Sequence, residues 1–208
     1  MFLIEIAAPA DALTDGDRAT LTRAVTGLLN ESASAPEETM TRGRAITHIA
    51  FRELAGWTTG DGAWSPPPPP PLVITATVPE AWREEMSRPL SGAIRAGVRK
   101  VDRDHGWTRP AGHLWINLVG IADGSIGLNG RPVTADELTS WMTEEFRAKQ
   151  SAGEVDLPEG VVIDPMCGMH VTLGPGAITL EHGGETLGFC AASCRRAYAK
   201  EHGLPVPA

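Results

Sequence analysis

The sequence predicts a mixed α/β (α+β) chain: a four-stranded sheet built from two β-α-β repeats with helices on one face, followed by a small C-terminal β-hairpin and helix module. Three observations carry this expectation. The order strand, helix, strand occurs twice in the first 145 residues, a run of six prolines (Pro66 to Pro71) separates the two occurrences, and all three cysteines fall in the last 42 of 208 residues.

The elements follow in order. Phe2 to Ile6 is an apolar, strand-like run, and Thr14 or Asp15 can cap a helix reaching about Leu29, with Ala19, Leu21, Ala24, Val25, Leu28 and Leu29 as its apolar stripe. Ala45 to Leu54 returns as a strand and ends in a Gly-rich turn. Six consecutive prolines favour an extended polyproline strut, because each fixes φ and none can donate a ladder hydrogen bond. Beyond them Leu72 to Val78, rich in β-branched residues, starts the second repeat. A helix over about Pro79 to Val101 and a strand over His113 to Ile121 complete it. A β-α-β unit places its two strands parallel with a right-handed crossover. A short amphipathic helix, Thr134 to Arg147, closes this part of the chain. The domain expectation is therefore repeat one over 1–65, the proline link over 66–71, repeat two over 71–145, a polar linker over 146–160 and the cysteine module over 161–208.

Charge and composition exclude several classes of function. With 18 basic and 26 acidic residues the net charge is −8, which disfavours a nucleic-acid partner because phosphate binding depends on Lys and Arg. Hydrophobic residues make up 42% and charged residues 21%, the usage of an ordinary globular chain. No stretch reaches the roughly 20 apolar residues of a membrane span, and the start, MFLIEIAAPADALTDGD, has no basic flank and is interrupted by Glu5. The expectation is a cytoplasmic protein with no membrane partner.

The second repeat opens PLVITATV at a proline, and its last strand runs into Ser125, Ile126, Gly127, Leu128, Asn129, Gly130, Arg131 and Pro132. This resembles the tautomerase superfamily, whose units begin at a proline, run β-α-β and end in a strand followed by N-W-G-x-G-G-R-P. Repeat one resembles it more loosely, through THIAFREL and Gly56-Trp57. The resemblance covers about residues 1 to 142 and implies a homotrimer with the sheets facing inward. It also implies a general base at a free amino-terminal proline, which must be an unprotonated amine. This sequence begins Met1-Phe2, and Pro71 is an internal residue whose amide nitrogen is not a base. The expectation is a catalytically silent scaffold. Family members hold substrate carboxylates with arginines; Arg42, Arg44 and Arg52 in repeat one and Arg83, Arg88 and Arg95 in repeat two are the ones at hand, as anchors or as ordinary surface charges.

Twenty-two residues separate Cys167 from Cys190 and three separate Cys190 from Cys194. On a helix the Cys-x3-Cys spacing sets two side chains one turn apart on one face, and a turn bearing Cys167 can approach from the side. Three thiolates make a soft, anionic pocket for Cu(I), Zn(II) or another thiophilic ion. Asp164, Pro165, Cys167, Gly168, Met169, Phe189, Cys190 and Cys194 resemble the YHS domain and the related TRASH domain, with D-P-x-C-G-M, a hairpin, and F-C-x3-C opening a helix. Leu187-Gly188 stands where the family often has aromatic residues. The resemblance implies heavy-metal trafficking, resistance or sensing.

The metal-ligand candidates are Cys167, Cys190, Cys194, His170 and His182, with Met166 and Met169 as packing residues or thioether donors. Copper is the expected ion and zinc the alternative. A structural zinc site, or redox-active thiols, would use the same residues. The leading expectation is a copper-binding protein for trafficking, buffering or detoxification, partnered by a metal-transfer protein. The alternative is a metal-dependent enzyme acting on a small substrate in a pocket between the scaffold and the metal.

Overall fold

The computed structural model describes residues 2–30, 35–66, 69–151 and 157–205. Chain order is β1 (Phe2–Pro9), α1 (Asp15–Asn30), α2 (Glu37–Ala45), β2 (Thr47–Leu54), β3 (Thr58–Thr59), β4 (Gly62–Ala63), β5 (Leu72–Pro79) and α3 (Glu80–His105). Then come β6 (Leu114–Ile121), β7 (Ile126–Leu128), β8 (Arg131–Val133), α4 (Ala135–Ser151), β9 (Val161–Ile163), β10 (His170–Thr172), β11 (Ile178–His182), β12 (Glu185–Phe189) and α5 (Ala192–Glu201). The chain forms two compact units, Met1–Glu31 with Ile46–Ile121, and Ser32–Ala45 with Ala122–Ala208.

The first unit holds the expected mixed sheet, in the order β2-β1-β5-β6. β1 runs parallel to β2 and β5 parallel to β6, while β1 and β5 meet antiparallel. Two β-α-β units thus join back to back through their first strands. Alternation along the strands decides which face is covered. Ile4, Ile6, Leu72, Ile74 and Ala76 are at most 1% exposed and pack with Leu21 and Val25 of α1 and Leu90, Ile94 and Val98 of α3. Each such Ile or Leu contributes roughly 1.5–3 kcal/mol by leaving water. The opposite face carries Glu5, Arg52, Thr75, Asn117, Trp115 and Val119, and Trp115 is 60% exposed.

The link into β5 is fixed by a partly buried ion pair, Arg109 to Asp102 at 2.7 Å, and the same guanidinium donates to the Pro70 carbonyl. The expected polyproline strut includes Pro67 and Pro68, which lie outside the described residues. Reciprocal capping boxes start two helices. Thr14 N–H donates to Asp17 Oδ2 while Asp17 N–H donates to Thr14 Oγ1, and Thr134 and Glu137 repeat the arrangement at α4.

The second unit differs more from the sequence reading. α2 was not foreseen: its residues EETMTRGRA have no apolar stripe, and acidic residues in the first turn with Arg42 and Arg44 in the last favour it through the helix dipole instead. Arg42 joins it to α4, bonding Glu144 Oε2 at 2.7 Å, Glu145 Oε1 at 2.9 Å and the Trp141 carbonyl at 2.6 Å. α4 extends to Ser151, four residues past its expected end at Arg147. Of the linker expected over 146–160, residues 152–156 lie outside the described residues. The segment Ser125 to Pro132 forms the hairpin β7-β8, turning at Asn129 and Gly130, both at positive φ (51° and 79°). Among the described residues, no helix is long and apolar enough to cross a membrane.

Candidate metal centre

The centre is built on a turn. β9 and β10 pair antiparallel, Ile163 opposite His170, and the six residues between them, DPMCGM, form the loop that carries Cys167. Asp164, fully buried, shapes that loop: its Oδ1 accepts from Met166 N–H at 2.8 Å and from Cys167 N–H at 3.3 Å. An Asp whose carboxylate takes the amides two and three residues ahead makes an Asx turn, and Pro165 pre-sets φ inside it. Gly168 follows at φ 77°, and a Cβ there would stand 2.4 Å from the Phe146 ring of α4. Arg147 donates to the Met166 carbonyl at 2.6 Å, so α4 grips the loop from both a ring and a guanidinium.

The other two cysteines come from the β12-α5 junction. Asp164 Oδ2 accepts from Cys190 N–H at 2.8 Å, so one carboxylate holds both cysteine segments together. Only Cys194 is helical; Cys190 precedes the extended N-cap Ala191 (φ −150°). The expected shared helical face is therefore replaced by a bend at Ala191 that turns Cys190 towards Cys194, because Asp164 binds the Cys190 amide outside the helix. Gly188 is required on the approach: a Cβ would lie 2.5 Å from Val162 Cγ2. The Leu187-Gly188 departure noted in the sequence thus lets β12 sit against β9.

The result is a tight donor group. The ligand atoms of Asp164, Cys167, Cys190 and Cys194 all lie within 4.8 Å of one another. Cys167 Sγ is 3.3 Å from Cys190 Sγ, which is 3.8 Å from Cys194 Sγ. Two sulfurs bound at about 2.3 Å to one ion are about 3.8–4.0 Å apart, which the Cys190–Cys194 separation meets and the Cys167–Cys190 separation falls short of by about half an ångström. Cys167 is buried, Cys194 half-buried and Cys190 exposed.

The electrostatics describe one thiolate shared among three sulfurs. Hydrogen bonds from Cys190 and Cys194 bring the Cys167 thiol down to about 6. The same bond to Cys167 pushes Cys190 up to about 12, and Cys194 is pushed up by its bonds to Cys167 and Cys190. Burial, with the nearby Cys190, raises Asp164 to about 6.

Of the residues expected to bind metal, the three cysteines converge. His182 turns instead to α5, its Nδ1 2.8 Å from Tyr198 Oη and its ring 5.2 Å from that of His202. His170, on β10, is not a member of the donor group; it lines a cleft of about 370 Å³ with Met169, Phe189 and Cys190. Met166 is buried, 4% exposed, as packing requires. Asp164, in the sequence a member of the D-P-x-C-G-M pattern and not a ligand candidate, joins the donor group, and Asp-Pro three residues before a cysteine is itself an Asx-turn signal.

Of the six arginines at hand as substrate anchors, four pair internally, Arg42 with Glu144 and Glu145, Arg44 with Glu37, Arg52 with Glu5 and Arg83 with Glu80, and Arg88 and Arg95 are exposed on α3. Pro71 is buried and borders a cleft of about 390 Å³ in the first unit, with Trp57, Asp61, His113 and Trp115.

No family model matches the chain. No curated protein matches it. Solved structures similar to it include a native fused 4-OT, at 21% identity and TM-score 0.46, covering 62% of this chain and 94% of that one. A fused 4-OT described as a symmetric trimer is 11% identical with TM-score 0.47, covering 64% of this chain and 98% of that one. Pt0534 inactivated by 2-oxo-3-pentynoate is 17% identical with TM-score 0.46, covering 63% and 94%.

Proposed function

We propose that this protein binds and exchanges a soft metal ion, copper as Cu(I), at Cys167, Cys190 and Cys194, for trafficking, buffering or detoxification. The observation that carries the reading is the asymmetry of the donor group. Three sulfurs converge, and Asp164, the one other Asp, Glu or His in the donor group among the described residues, already spends its oxygens on three backbone N–H groups. That supports three-coordinate sulfur, which suits Cu(I), over the four-coordinate closure of structural zinc. Exposure of Cys190 supports exchange, since an incoming thiolate can attack a three-coordinate ion from that side.

In this reading residues 161–208 form a YHS-type module and the β-α-β repeats are a scaffold without tautomerase chemistry. The scaffold supplies assembly. The uncovered sheet face, with Trp115, Val119 and Leu54 each more than 40% exposed, is the surface a homotrimer would bury. Three free cysteines fit a reducing, cytoplasmic setting.

Anaerobic Cu(I) titration against a chromophoric chelator tests the site. Wild-type protein takes up about one Cu(I) per chain, and Cys190→Ser and Cys194→Ser each abolish stoichiometric uptake. Full uptake by both variants overturns the reading.

A further inference from the structure

The cleft beside Cys190 has a chemistry of its own. Met169, His170 and Cys190 bring a thioether, an imidazole and a thiol to one opening of about 370 Å³, whose other walls include Ile178 and Phe189. Among the described residues, no Asp, Glu, Lys or Arg lines it. β10 borders the cleft along its whole length: His170, Val171 and Thr172 all line it, with Val171 buried (9% exposed), His170 half-buried and Thr172 exposed. Cys190 is at once a wall of the cleft and a member of the donor group, which makes the cleft the solvent side of the centre.

From this geometry we infer that the cleft is the loading path for the metal and that His170 is its relay ligand, receiving Cu(I) from a small thiol complex before the three sulfurs take it. The inference rests on the copper-binding reading above. An imidazole is a competent Cu(I) donor but a weaker partner for this soft ion than three thiolates, so it can accept the ion and release it inward. The step is a ligand exchange without redox change. A Cu–N bond to His170 forms as one Cu–S bond to the carrier breaks, and the carrier thiolate leaves with its electron pair. Cu–S bonds to Cys190, Cys194 and Cys167 then replace the Cu–N bond and any Cu–S bond still held to the carrier, whose thiolate leaves with its electron pair, and the Cys190 and Cys194 protons pass to water. The opening suits a low-molecular-weight thiol complex, and the absence of charged walls keeps any one carrier charge from being held.

The test uses the full reduced chain and the Cu(I)–glutathione complex in anaerobic stopped flow, following sulfur-to-copper charge-transfer absorption, with equilibrium affinity measured separately by chelator competition. His170→Ala should slow uptake about tenfold or more while leaving affinity within about twofold, His170→Met should restore much of the rate, and Thr172→Ala should change neither. Uptake by His170→Ala at the wild-type rate overturns the relay and leaves the copper reading standing. A loss of affinity matching the loss of rate also overturns it, by making His170 a resident ligand. Absence of tight Cu(I) binding by the wild type fails the underlying reading itself.

Discussion

The β-α-β sheet and the cysteine centre are held together by opposite means. In the sheet, Ile4, Ile6 and Ile74 are buried among other aliphatic side chains, and stability follows from area removed from water. At the centre, one buried carboxylate collects three backbone N–H groups while three sulfurs crowd one another. The first arrangement is complete without a ligand. The second carries a raised carboxylate and raised thiols, and in the proposed reading an ion completes it. A metal should therefore stabilise one region and leave the other unchanged.

The largest expected effect separates the two by cavity formation. Ile74→Ala should cost about 3–4 kcal/mol of the sheet's stability and leave Cu(I) stoichiometry unchanged, measured by chemical denaturation and chelator titration on the same sample. Reduced stoichiometry in a folded Ile74→Ala protein would erase the distinction. Asp164→Ala should cost about 3 kcal/mol in the metal-bound protein, because three amides lose their acceptor. Its loss of copper affinity should come with weakened amide protection at Met166, Cys167 and Cys190 in hydrogen exchange; unaltered protection there would show that the carboxylate is not the brace. Gly168→Ala is a smaller test, about 1–3 kcal/mol, since its Cβ meets Phe146 and its φ is left-handed. Phe146→Ala should relieve part of that cost in the double variant, and simple additivity would deny the contact.

The pH dependence sharpens the contrast further. Asp164 titrates at about 6 in the folded chain because burial disfavours its charge, above its ordinary value near 4. Between those values the folded chain binds more protons than the unfolded one, so the metal-free protein loses stability through this group as pH rises from about 4 to 6. Asp164→Asn should flatten that decline in a series of denaturation midpoints; an identical slope in both proteins would assign it to other groups. Above neutrality, copper entering a centre with two raised thiols should release about two protons per ion, read by pH-indicator titration.

How much was legible in the sequence follows the same divide. The sheet was readable because the β-branched run at Leu72 to Val78 and the apolar run at Phe2 to Ile6 are local signals. The cysteine spacing marked the donor group, since chemistry fixes residue type there. What could not be read depended on contacts distant in sequence. α2 owes its place to Arg42 meeting α4 about a hundred residues on, and nothing in EETMTRGRA announces that. His170 and His182 are alike as ligand candidates in the sequence, and neither joins the donor group, His182 Nδ1 meeting Tyr198 sixteen residues away and His170 lining the cleft. The Cys-x3-Cys spacing suggested one helical face, and a hydrogen bond from the Cys190 amide to a carboxylate 26 residues earlier decided otherwise.

The most direct test of the central claim is elemental analysis of the protein purified without added metal, paired with thiol titration of the same sample. About one copper per chain, with all three thiols protected until a chelator removes it, is the predicted result. About one tightly held zinc per chain that Cu(I) does not displace, or three freely reactive thiols with no metal uptake, would contradict it.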